Sequence, residues 1–221
     1  MDRRWTIERI RGDAGTFHQR DLPAPPVRSL WLLEVDRPAV VLGSAQPADA
    51  VDQVLAAAQG IDVVRRRSGG AAVLLEPGRL VWADLVIGRD DPLWHDDVGR
   101  AAWWVGELWA TALRQFGIAA TVHRGPLQRG EYGDRVCFAG LGPGEVQVAG
   151  RKVVGVSQRR TRDAARFQTA ALLQWEPGVL AALCGIGRLG DPVPPALADA
   201  AVGLGLAADE VAAAMVSALP A

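Results

Sequence analysis

Lysine is nearly missing from this chain. Of its 24 basic residues all but Lys152 are arginine. A composition that uses arginine wherever a generic positive charge will do implies that position 152 needs a compact ammonium, able to sit between oxygens of two different groups. The alternative is one surface lysine retained by chance. Cysteine is scarce too, and Cys137 and Cys184 are too few for a disulfide framework. His18, His95 and His123 show no metal-ligand spacing, no CxxC pair exists, and neither GxSxG nor GxxxxGK[ST] occurs. Those gaps remove metal hydrolysis, serine hydrolysis and P-loop chemistry, and no metal ligands are assigned. No apolar run approaches membrane-spanning length, and the start MDRRWTIERI lacks the apolar core of a signal peptide. A net charge of -1 leaves no excess positive field to hold nucleic acid or a membrane surface. We expect a soluble, cytoplasmic protein.

What is present begins with a hydrophobic content of 49%, enough for one good-sized core in 221 residues. The stretch from Asp62 to Ile87 reads as strand, tight basic glycine loop, strand, turn at Pro77-Gly78, strand. Gly69 and Gly70 let main-chain N–H groups approach a bound group, and Arg65, Arg66 and Arg67 bring positive charge to the same loop. That combination suits an anion, and a hairpin with solvated arginines is the plainer alternative. A second stretch, Glu145 to Gln158, reads as two short alternating runs joined at Ala149-Gly150-Arg151, a hairpin with Lys152 just past its turn.

The remaining chain supplies scaffold. Met1 to Arg11 is an expected edge strand, and Arg20 to Pro26 a Pro-rich connection. Ser29 to Val35 and Ala39 to Leu42 are expected buried strands, the second ending near Gln46, either a ligand-orienting amide or a turn residue. Asp49 to Gln59 is expected to be helical and to stop at Gly60. Asp96 or Asp97 caps a helix through Phe116, whose Trp103, Trp104, Leu108, Trp109, Leu113 and Phe116 form a core-facing stripe. Ile118 to His123 is an expected strand, and the polar segment 124–135 has the composition of a loop over a site. Arg159, Arg160, Arg162 and Arg166 form a second basic cluster, followed by a strand from Thr169 to Trp175. Glycine patterns at AGLGPGEV and at Gly203 to Ala208 fail the strand–loop–helix context of a dinucleotide fingerprint. We expect a main domain over residues 1–190 and a short helical tail, capped near Asp209, over 191–221.

Taken jointly, Arg65-Arg66-Arg67-Ser68-Gly69-Gly70 with its following strand, Gly150-Arg151-Lys152-Val153-Val154-Gly155 with Gln158 after it, and the Pro38 to Gln46 segment resemble the catalytic domain of the lipoate-protein ligase, octanoyltransferase and biotin ligase superfamily. The resemblance implies an α+β fold, with a mixed, largely antiparallel central sheet flanked by helices, as in class II synthetases and biotin ligases. It implies acyl transfer to a lysine of an apo lipoyl carrier domain or a glycine-cleavage H-type protein, with a separate accessory chain compatible with the small size. The ligase branch is the leading expectation: there ATP with Mg²⁺ activates lipoate or octanoate as an acyl-adenylate. Lys152 would then offset the charge of carboxylate and phosphate, helped by Arg66, Arg67, Ser68, Gly69 and Gly70. Ala71, Ala72, Val73 and Leu74 would line the slot, with Gly155, Gln46 and Gln158 around it. In a transferase branch, Cys137 matches a cysteine that carries the acyl group as a thioester without ATP; a small buried hydrophobe is the plainer reading of that residue. A non-catalytic lipoyl or nucleotide binder is the third alternative. The sequence departs from the family's pattern in Ala71 for a third loop glycine, in Gln168-Thr169-Ala170 for a histidine-glycine pair, and in the Pro-rich connection where an early helix is common.

Overall fold

The computed structural model describes residues 4–221. Its strands are β1 (Thr6–Gly12), β2 (Ser29–Val35), β3 (Ala39–Leu42), β4 (Asp62–Arg65), β5 (Val73–Leu75), β6 (Leu80–Gly88), β7 (Ala120–Val122), β8 (Val146–Val148), β9 (Arg151–Arg160) and β10 (Ala164–Leu172). Its helices are α1 (Ala14–Gln19), α2 (Gln53–Ala58), α3 (Val98–Ala101), α4 (Trp103–Arg114), α5 (Gly178–Leu183), α6 (Pro195–Ala198) and α7 (Ala208–Ser217). The expected N-terminal strand begins at Thr6, and its first three positions lie outside the described residues.

Seven strands form the main sheet in the order β1-β2-β6-β10-β9-β8-β7, antiparallel except for the parallel pair β1 and β2 at one edge. A parallel pair needs a crossover rather than a tight turn. Here that crossover contains α1, capped by Asp13, whose carboxylate accepts from Thr16 N at 2.8 Å. An early helix therefore precedes the Pro-rich connection, where the sequence reading had the connection replacing it. Both faces of β6 and β10 are covered, which is why their runs are apolar almost throughout. On one face Leu85, Phe167, Trp109, Val211 and Met215 form a common core under α4 and α7. On the other, Trp31, Leu33 and Trp82 pack against Phe17 of α1 and against Val41 and Leu75 of a smaller sheet.

That smaller sheet corrects the reading of the arginine stretch. Its order is β4-β3-β5, so β3 lies between the two strands that flank the Arg-Arg-Arg-Ser-Gly-Gly loop. The loop is a crossover above the C-terminal end of β3 and not a hairpin turn. By contrast β8 and β9 do form the expected hairpin, with Ala149 at φ 49° and Gly150 at φ 77° in its turn. Two further expectations change. α7 begins after Ala207, with Asp209 in its first turn and not at its cap. β10 starts at Ala164, so Arg166 lies inside a strand. It is buried and paired with Asp84, which takes it out of the expected second basic cluster.

Candidate active site

The β4–β5 crossover is built on the backbone. Arg66 is buried, and its guanidinium donates to the carbonyl oxygens of Gly69 (2.9 Å), Ala71 (2.9 Å) and Val41 (3.2 Å). Gly43 and Gly70 let two backbones nearly touch: a Cβ on Gly43 would fall 1.7 Å from Gly70 O, and Gly70 itself adopts φ 103°. The expected convergence of three arginines does not occur. Arg65 turns back to Gly43 O (2.9 Å) and Gln46 O, and Arg67 reaches Gln19 Oε1 (3.0 Å) toward α1. Gln46 closes its own turn by accepting from Gly43 N at 3.0 Å.

Lys152 is buried, 2% exposed, and all three of its ammonium protons have partners in the chain. Nζ lies 2.7 Å from Glu145 Oε2 and donates to the carbonyl oxygens of Cys137 (2.8 Å) and Gly140 (3.0 Å). It also stands 4.9 Å from the centre of the Phe138 ring. Glu145 is itself fixed, accepting from Gly142 N (2.6 Å) and Val156 N (3.1 Å). The ammonium thus pins the one turn of 3-10 helix at Cys137–Ala139 to the β8–β9 hairpin. Its bond to residue 137 is to the carbonyl oxygen.

Between that turn and the main sheet lies a narrow, mostly apolar slot, with a cavity of about 50 Å³, lined among others by Val73, Leu75, Trp82, Cys137, Phe138 and Gly155. Gly155 leaves room for Phe138, whose ring would come within 3.3 Å of a Cβ there. Cys137 Sγ packs beside Gly70, 3.7 Å from where its Cβ would stand, so the sulfur sits between the glycine loop and the slot. The slot's other end is polar. Ser68 Oγ lies 3.0 Å from Ser157 Oγ and donates to Gln168 Oε1 at 2.7 Å, while Gln168 Nε2 meets His18 Nδ1 at 3.1 Å. His18 also lies against the Trp82 ring, with centroids 4.7 Å apart. Burial, reinforced by the nearby Arg166 and Arg66 cations, lowers the His18 pKa to about 3, so the ring is neutral. Beneath it Asp84 is fully buried. Burial raises its carboxyl above the ordinary value, opposed by Arg166, whose Nε donates to Asp84 Oδ2 at 2.7 Å.

The structure therefore gathers Lys152, Cys137, Arg66, Ser68, Gly70, Val73 and Gly155 around one slot. Ala71 and Ala72 are buried beside it, and the Ala72 carbonyl accepts from Cys137 N at 2.8 Å. Leu74 instead joins the separate core under α2 and α5. Gln158 is not in the slot: it neighbours Ser157 on β9 and so points to the opposite face, where Nε2 donates to Val98 O at 2.5 Å. Glu145, His18, Ser157 and Asp84 went unassigned in the sequence. Only Glu145 had a signal, because a lone lysine committed to a buried role needs a carboxylate. Among the described residues no group of three His, Cys, Asp or Glu side chains is arranged to hold a metal, and no helix is long and apolar enough to cross a membrane.

This arrangement sits in a familiar frame. Residues 16–184 match the family model of the lipoyl protein ligase A/B catalytic domain. Among solved structures, a Thermoplasma acidophilum protein with bound lipoic acid is 19% identical, with a TM-score of 0.71 over 99% of this chain and 84% of that one. Lipoate-protein ligase A bound with ATP is 18% identical, with a TM-score of 0.68 over 99% and 84%. A bi-partite lipoate protein ligase from T. acidophilum, described with its E2 lipoyl domain, is 18% identical, with a TM-score of 0.70 over 99% and 82%. At these identities the likeness is one of fold, and no curated protein matches the chain. With three quarters of its length inside the family model, the chain belongs to the lipoyl protein ligase A/B catalytic-domain family.

Proposed function

We propose that the protein acts in protein lipoylation, holding a lipoyl or octanoyl group in the slot, which must widen from its cavity of about 50 Å³ to admit the chain, and delivering it to a lysine of an apo lipoyl carrier domain, with Cys137 as the residue that carries it. The observation that supports this route is the position of Cys137 Sγ, in the slot wall beside Gly70, while every proton of Lys152 is engaged by the chain's own oxygens. In the first step the Cys137 thiol gives up its proton as its sulfur attacks the carbonyl carbon of an acyl thioester, the carbon–sulfur bond to the donor breaks, and the donor sulfur leaves with that proton. In the second, the carrier lysine amine attacks the Cys137 thioester, an amide forms, and the Cys137 thiol is regenerated. Lys152 contributes by fixing the carbonyl of residue 137 and so the position of the Cys137 turn, its charge being balanced by Glu145.

The ATP-dependent ligase is the second reading, supported by the exposed Arg65 and Arg67 on the glycine crossover and by the likeness to a ligase bound with ATP. Arg67 and the open side of Gly69 would meet the phosphates, and Mg²⁺ would be held by phosphate oxygens and water, since the described residues offer no carboxylate cluster. Lys152 would have to release a carbonyl to serve the acyl-phosphate. Such chemistry joins a carboxylate to a phosphate and needs that positive charge between them. A separate accessory chain is compatible with either route.

The deciding experiment follows the intact mass of an apo lipoyl domain incubated with the protein. We expect an added octanoyl or lipoyl mass from an acyl-thioester donor without ATP, and its loss in Cys137→Ala. Product only with ATP and free lipoate, unchanged in Cys137→Ala, selects the ligase. Product under neither condition overturns both.

A further inference from the structure

His18 presents a donor left unanswered among the described residues. Its Nε2 is buried and has no hydrogen-bond partner among them, on a residue only 5% exposed that lines the slot. The proton's position follows from its neighbours. Gln168 Oε1 takes the Ser68 hydroxyl proton, and Asp84, a carboxylate paired with Arg166, also takes a hydrogen bond from the Gln168 side chain. The amide nitrogen therefore faces His18, and Nδ1 must accept from it at 3.1 Å. A neutral ring that accepts at Nδ1 carries its hydrogen on Nε2. The unanswered atom is a buried N–H on a residue that lines an apolar slot.

A buried donor without an acceptor is costly, and a ligand that brings the acceptor removes the cost. The place of that acceptor follows from strand register. Phe138, next to Cys137, packs on Gly155, which pairs with Ala170 of β10, whereas Gln168, which holds His18, pairs with Ser157. Two residues along a strand is about 7 Å, the span of several methylene groups. An acyl chain tethered at Cys137 thus runs its distal carbons, not its carbonyl, toward His18. An unsubstituted chain offers nothing there, while a dithiolane ring offers two sulfur acceptors.

We infer that His18, oriented by Gln168, is a specificity residue that selects an acyl chain bearing distal heteroatom acceptors, a dithiolane-type acyl group, over a plain saturated chain of equal length. This rests on the proposed acyl-binding role of the slot. It makes the Gln168-Thr169-Ala170 departure from the family pattern part of the selection, because the Gln168 amide sets the tautomer of His18.

The test is calorimetric binding of free lipoate and free octanoate to the full chain, which requires no turnover. Wild type is expected to bind lipoate about tenfold more tightly than octanoate, one neutral hydrogen bond's worth. His18→Phe, which keeps the ring packing against Trp82, should bring the two affinities together. His18→Gln, which restores a donor, should recover part of the preference, and Gln168→Leu should weaken it with His18 in place. Equal affinities in wild type, or an undiminished preference in a folded His18→Phe protein, overturns the inference and leaves the acyl-transfer reading standing. Failure of wild type to bind either acid overturns the inference, and with no carrier modification in the mass assay it overturns the acyl-transfer reading as well.

Discussion

Glu145 and Lys152 form an ion pair at 2.7 Å with both side chains almost fully buried, 6% and 3% exposed. Neither charge has access to bulk water, so each depends on the other and on the backbone groups around the pair. Removing one partner of such a pair strands the other, at about 3–5 kcal/mol, whereas replacing both with apolar groups of similar size is far less costly. Glu145→Leu and Lys152→Met should therefore each lower stability by about that amount, and the double variant should recover much of it. Urea denaturation of the four proteins measures this. All three variants are expected to lose carrier acylation, so a stable but inactive double variant separates the structural part of Lys152's role from the chemical one.

The sequence showed that Lys152 was special but not what it touches. A lone lysine among arginines can be read from composition, and the hairpin that carries it from alternation and an Ala-Gly turn. Its carboxylate partner sits seven residues earlier, and only the β8–β9 register brings the two together. Arg66 went the other way. Beside two glycines it looked like a phosphate ligand, yet it is buried and holds three backbone carbonyls. What decides between those roles is whether β4 and β5 pair directly, and the insertion of β3 between them is a long-range choice that local pattern does not carry. His18 had no readable signal at all, since a short helix with one histidine is the usual appearance of a core position.

Gly43 tests how much the glycine crossover depends on close approach. A methyl group there would overlap Gly70 O, at 1.7 Å, with no flexible side chain to yield. Gly43→Ala should cost at least about 2 kcal/mol and displace the 68–70 backbone. Gly69→Ala is the control, because nothing stands within 4 Å of its added Cβ and its φ is not left-handed, and its effect should stay within about 0.5 kcal/mol. Thermal unfolding compares the two. Equal effects would mean that the crossover tolerates a methyl at the contact and is not held by it.

The two cysteines should differ sharply in reactivity. Burial raises the Cys184 thiol to about 11, and its sulfur lies 3.8 Å from the Arg135 carbonyl within an apolar core. Cys137 is partly exposed on the slot. Iodoacetamide at neutral pH should modify Cys137 about tenfold faster or more, since the thiolate is the reactive form and access is required. Peptide mass mapping assigns the sites. Preincubation with octanoyl thioester should protect Cys137 if that residue accepts the acyl group, whereas free octanoate should protect it only while bound.

His18 gives the fold a pH dependence whose sign can be worked out. Its pKa falls from 6.5 to about 3 in the folded chain, with burial as the main cause. Between those values the unfolded chain binds a proton that the folded chain refuses, so stability is full above 6.5 and declines as pH falls toward 3. At full effect the slope is about 1.4 kcal/mol per pH unit. Other groups facing His18 are Gln168 at Nδ1, Trp82 against the ring, and the Arg166 and Arg66 cations. Asp84, next in the network, has its carboxyl raised by burial against the pull of Arg166, which acts on stability in the opposite sense to His18 and is common to wild type and His18→Phe. Urea midpoints of wild type and His18→Phe, measured at pH 7 and about pH 5, should diverge: the wild type loses stability on acidification and the variant loses markedly less. Parallel losses would show that His18 titrates normally in the folded protein. The neutral N–H assigned to the slot would then be an imidazolium at acidic pH, and the selection argued from it would not hold there.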